Sequence, residues 1–151
     1  MGKVINFRAC DNLLMFKVFK QMVHQTEKNK FYYDGKQVAD NPGVKVDFRN
    51  MEHTYEIFNI LSTNWGGWNK CPEAMVMYNV ARKWEELYGT EIIDIGYDVI
   101  DFSLMRELSD EEIDALIVEI KNINADANYT GGFIELRNCI KEDLKFSIWW
   151  D

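Results

Sequence analysis

No run of apolar residues in this chain approaches the 18 or more that a bilayer-spanning helix needs, so a membrane protein of that kind is not expected. Met1-Gly2-Lys3-Val4-Ile5-Asn6 lacks both the apolar core of a signal peptide and the Ser or Thr of a myristoylation signal, and the expectation is a soluble, unexported, cytoplasmic protein. Cysteine is scarce. Cys10, Cys71 and Cys139 are odd in number and too widely spaced for a zinc motif, which fits a reducing compartment. Histidine is scarcer still, with only His24 and His53, so zinc chemistry is poorly supplied and neither a metal nor another cofactor is expected. Gly66-Gly67 is not followed by Gly-Lys-Ser/Thr and does not fit the dinucleotide spacing, and no nucleophile elbow marks a serine hydrolase.

What is present is a chain of 151 residues, 47% hydrophobic and 14% aromatic, the size of one globular domain. A domain of that length buries roughly two thirds of the surface its unfolded chain exposes. The net charge of −8 hides an asymmetry. Between Glu85 and Ile120 there are twelve acids against Arg106 alone, whereas the first fifty residues hold nine Lys or Arg against five Asp or Glu. An acidic block of this kind repels phosphate backbones and anionic lipid, and attracts a basic protein partner. The competing reading is that these acids only solvate the outward faces of two helices and a strand.

Asp11 or Asn12 can cap a first helix, with Leu14, Met15, Val18, Phe19, Met22 and Val23 at helical spacing up to about Gln25. Phe31-Tyr32-Tyr33 and Lys36-Gln37-Val38 flank Asp34-Gly35, a hairpin dipeptide, and Val44 to Phe48 follows as a third antiparallel strand. A short helix from Thr54 to Leu61 precedes the double-glycine loop. Pro72 then opens a long helix whose stripe is Ala74, Met77, Tyr78, Ala81, Trp84 and Tyr88, and Gly89 stops it. Glu91 to Phe102 reads as one or two strands with a bulge or turn at Gly96. Ser109 and Glu112 form a capping box before Ile113, Leu116, Ile117, Ile120 and Ile123. A further helix runs from Gly131-Gly132 to Cys139-Ile140, and Phe146 to Trp150 closes the chain as a strand. The fold class expected is α+β, a single domain with a mainly antiparallel sheet and about four helices.

Trp65-Gly66-Gly67-Trp68-Asn69 with Cys71-Pro72, the stretch from Trp84 through Tyr88-Gly89 to Ile92, Asp98 after a short strand, and the terminal Trp149-Trp150-Asp151 form an ordered set. In order and spacing they resemble the bacterial domain-of-unknown-function family 4253, from about Thr54 to Asp151. That family usually has a His before the position of Asp98, where this chain has Tyr97. It has no established activity, so the resemblance implies a fold and no reaction.

Read from the residues themselves, the five tryptophans predict an aromatic cluster joining loop, helix and last strand, with a ligand cleft or a homodimer interface as the alternatives. Cys71 at an expected helix N-terminus is the best lead for an enzyme, with His53 and Asn69 as its candidate neighbours. Asp94 and Asp98 on one unbroken strand face lie about 13 Å apart, too far for a tight pair. The favoured expectation is a non-catalytic protein whose acids Asp94, Asp98, Asp101, Asp110, Glu111 and Asp114, with Tyr97 as an anchor, dock on a basic nucleic-acid-processing partner. A toxin-immunity protein or a phage-encoded anti-defence inhibitor would work this way.

Overall fold

A computed structural model describes residues 2–7, 24–27, 30–33, 36–38, 44–61, 65–67, 70–96, 99–123 and 132–150. In chain order its strands are β1 (Lys3–Phe7), β2 (His24–Glu27), β3 (Lys30–Tyr33), β4 (Lys36–Val38), β5 (Val44–Phe48), β6 (Thr90–Ile95), β7 (Val99–Leu104) and β8 (Lys145–Trp149). Its α-helices are α1 (Ile57–Leu61), entered through a 3₁₀ turn at Thr54–Glu56, then α2 (Ala74–Tyr88), α3 (Asp110–Ile123) and α4 (Gly132–Asn138), which runs on into a π-turn at Cys139–Asp143. The class is α+β, as expected. None of the described helices is long and apolar enough to cross a membrane.

Two sheets form. The larger has the order β5-β1-β6-β7-β8, and only β1 and β6 run parallel, through Asn6 opposite Asp94 and Phe7 opposite Ile95. Its other neighbours are antiparallel, so the sheet is mainly antiparallel. The smaller sheet is β2-β3-β4. In it Tyr33 pairs with Lys36, the register that a two-residue link at Asp34-Gly35 requires. Two expectations are corrected. Val44 to Phe48 does not extend this hairpin but pairs with β1, and the third strand is instead β2, which takes His24 and Gln25 from the end of the expected first helix. The rest of that helix, from residue 11 to 23, lies outside the described residues.

Alternation along the large sheet sends Ile5, Phe7, Ile100, Phe102, Phe146 and Ile148 to the core, while Asn6, Asp101 and Ser147 face the other way. The stripes of α2 and α3 complete that core, with Trp84, Met77, Leu116 and Ile120 fully buried. Gly89 ends α2 in the left-handed region at φ 71°, its N–H donating to Glu85 O at 3.0 Å. Gly96 makes a turn: its N–H donates to Val99 O at 2.8 Å. The bulge sits earlier, between Ile92 and Asp94, and there the Ile92 N–H donates to the buried Thr54 hydroxyl at 2.8 Å.

The expected capping box is present in both directions. Ser109 N–H donates to Glu112 Oε1 at 3.1 Å, and Glu112 N–H to Ser109 Oγ at 3.2 Å. Arg106 grips the same carboxylate as a fork, at 2.6 and 3.2 Å, and also donates to Leu87 O at 2.7 Å, tying the end of α2 to the start of α3.

Candidate functional site

The Trp-Gly-Gly loop is built for packing. Gly66 and Gly67 both lie at positive φ, 72° and 77°, and the Gly67 N–H reaches Cys71 O at 3.0 Å and Pro72 O at 3.2 Å. Because the Pro72 carbonyl is committed to that loop, the proline stands before the helix rather than in its first turn. Glu73 is the N-cap and Ala74 the first helical residue, a correction to the expected start. Trp65, 2% exposed, donates its indole N–H to Gly96 O at 2.8 Å and so fastens the loop to the β6–β7 turn. Its ring packs on Phe58 and edge-on to Trp150, with centroids 5.3 and 5.9 Å apart. Trp84 forms a second group with Phe102 and Phe146, and donates to Glu119 Oε2 at 2.7 Å. Trp150 donates to Ile123 O at 3.2 Å. Each of these buried indoles thus has a polar partner and apolar neighbours, as core tryptophans require.

Trp149 differs. It is half-buried on the outward side of β8 and lines a cleft of about 690 Å³. Trp68, Asn69 and Asp151 lie outside the described residues, as do Tyr97 and Asp98.

Cys71 is 4% exposed, with its sulfur 3.7 Å from Pro72 O, three residues ahead of α2 rather than at its end. His53 is engaged elsewhere, its Nδ1 2.5 Å from Glu85 Oε1 and its ring stacked on Tyr55 at 5.0 Å. The hydrogen bond to Glu85 raises the imidazole above its ordinary pKa despite opposing desolvation, favouring the charged form. That pairing therefore stabilises the fold below the ordinary histidine value, and its contribution fades as pH rises through the elevated one. Neither residue lines the three cavities bounded by Trp149, by Met51 or by Val80.

The acids fall in two places. Asp94 and Asp101 are direct neighbours across β6 and β7. Like charges so placed repel, and each is met by a donor from the next strand: Asn6 Nδ2 to Asp94 Oδ2 at 2.7 Å, and the Ser147 hydroxyl to Asp101 Oδ1. A row Asn6, Asp94, Asp101, Ser147 thus crosses four strands. The spacing along the chain suggests only Asp94 with Asp98, too far apart for a tight pair, and not this adjacency. A two-residue link at positions 97 and 98, directly after Gly96, is the signal that gives it, because it sets Ile95 opposite Ile100 and Asp94 opposite Asp101.

Asp110, Glu111 and Asp114 share the outward face of α3, all exposed. The acidic stretch is also met by cations from outside it. Arg137 bonds Asp114 and lies 3.6 Å from Asp110, Lys141 is 3.4 Å from Asp110, Lys83 pairs with Glu119, and Lys3 donates to Glu91 at 2.6 Å. The strong local excess counted along the chain is therefore smaller in space, because Lys3, Lys83, Arg137 and Lys141 fold onto it.

No curated protein and no solved structure matches this chain. A family model described as a domain of unknown function (DUF4253) matches residues 49–151, the part that carries β6 to β8, α2, α3 and the tryptophan loop, and the chain belongs to that family.

Proposed function

We propose that the protein is a non-catalytic docking protein that binds and inhibits a basic, nucleic-acid-processing partner through the outward face of α3 and the adjoining α4. One observation supports this above others. The exposed acids Asp110, Glu111 and Asp114 are flanked by two exposed aliphatic residues, Val118 at 56% and Ile134 at 76% exposure. Val118 lies one turn beyond Asp114 on α3, and Ile134 lies one turn before Arg137, the residue bonded to Asp114, on α4. Apolar anchors among charged residues are what a protein interface asks for.

The resident ion pairs do not count against this reading. Asp110 and Asp114 are each 67% exposed, and exposed pairs contribute only about 0–1 kcal/mol, so a partner's lysines and arginines replace Arg137 and Lys141 at little cost. On such a partner the carboxylates occupy the places of phosphates, the mode of action of a toxin-immunity protein or a phage-encoded anti-defence inhibitor.

The test is capture of a basic partner from the native host at low and high salt, followed by calorimetry with wild type and with the Asp110→Lys/Glu111→Lys/Asp114→Lys variant. A specific basic partner, bound more weakly at high salt and at least about tenfold more weakly by the variant, is the expected result. Affinity indifferent to the charge reversal rules the surface out.

A further inference from the structure

We infer that the cleft between β6–β8 and the α4–π-turn segment binds a small organic cation with an apolar body, through residues other than those of the proposed docking surface on α3 and α4. The cleft measures about 690 Å³, within the range of small-molecule sites. Its strand wall carries Asp101, Lys145 and Trp149, and its helical wall carries Glu135 and Asp143. Acidic residues therefore outnumber the one basic residue in this lining. An anionic ligand meets net repulsion there, whereas an amine or guanidinium meets net attraction.

Other features narrow the ligand further. Ile93 and Leu136 supply apolar lining, and the Trp149 indole supplies an aromatic surface of the kind on which organic cations rest. The Ser147 hydroxyl donates to Asp101 Oδ1, which fixes the orientation of that carboxylate. A bare metal ion is a poorer fit, because among the described residues no three His, Cys, Asp or Glu groups stand close enough to share one. Carboxylates spread along two walls suit a larger cation that brings several hydrogen-bond donors of its own.

The site binds rather than reacts. Cys139 lines the cleft, and burial, then Asp143 and Glu135, push its thiol pKa up, so that the protonated and weakly nucleophilic form prevails. Glu135, Cys139 and Asp143, spaced four residues apart, share the helical wall, the last two within the π-turn, a feature frequent at functional sites.

The experiment is calorimetry of the full chain with 2-phenylethylammonium and agmatine as cationic probes, 2-phenylethanol as the neutral probe and 3-phenylpropionate as the anionic one. The cations are expected to bind and to change the tryptophan fluorescence, with the neutral and anionic probes at least about tenfold weaker. Glu135 and Asp143 are exposed, so the Glu135→Gln/Asp143→Asn variant should keep the wild-type melting temperature while losing cation affinity by about tenfold or more. Three results overturn the inference: no cation binding below about 10 mM, neutral or anionic probes binding as well as the cations, or a folded variant that binds the cations like wild type.

Discussion

Replacing Gly66 by alanine tests the account of the tryptophan loop most directly. A Cβ at this position stands 1.9 Å from Pro72 O, where carbon and oxygen normally approach no closer than about 3.3 Å. The obstacle is backbone, already held by the Gly67 N–H, and cannot swing aside. Alanine at φ 72° costs about 1–2 kcal/mol by itself. Backing the loop away weakens the Gly67 hydrogen bonds, about 0.5–1.5 kcal/mol, and loosens the packing of Trp65. A loss of about 3–4 kcal/mol results, in the upper part of the range for single substitutions. Gly67→Ala is the internal control. Its φ is as unfavourable, but its nearest obstacle is the flexible Glu73 side chain, with Cγ at 3.2 Å, and the expected cost is about 1–2 kcal/mol. Equilibrium urea denaturation followed by tryptophan fluorescence reads both. Equal losses in the two variants, or a Gly66→Ala loss below about 1 kcal/mol, would show that the Pro72 contact does not constrain the loop.

Trp84→Phe removes the indole donor to Glu119 and part of the edge-on packing against Phe102 and Phe146, with an expected loss of about 2–3 kcal/mol in the same assay. A variant within about 0.5 kcal/mol of wild type would refute a structural role for that bond. The Arg106 fork, followed by the Ser109 N–H, holds the Glu112 carboxyl down to about 2 from an ordinary value of 4.5. Because the folded-state value is depressed, the contribution is complete above 4.5 and is lost as pH falls toward about 2. The stability gap between wild type and Glu112→Gln should therefore close across that window, as read from urea midpoints; a gap independent of pH would mean that Glu112 acts through packing instead.

Local patterns were legible where the physics is local. The stripes of α2 and α3, the stop at Gly89 and the Ser109–Glu112 box depend on residues one turn apart, and all appear where the spacing puts them. The β3–β4 hairpin likewise follows from its two-residue link. Legibility ended where partners come from far along the chain. Pairing of β5 with β1, rather than with the neighbouring hairpin, joins residues about forty positions apart. The start of α2 was misplaced because the Pro72 carbonyl serves a loop whose geometry the spacing does not contain. At the acidic surface, identity and helical face of Asp110, Glu111 and Asp114 were readable, but their ion pairs with Arg137 and Lys141 were not.

By itself the sequence determined the apolar stripes of the helices of the second half, the α+β class and the family, because periodicity, capping and glycine placement act within a few residues. Tertiary structure alone decided the order of the large sheet, the adjacency of Asp94 and Asp101, the cleft beside Trp149 and how much of the negative charge is balanced. Those depend on strand register and chain crossings, which are fixed by which distant apolar faces can be buried together.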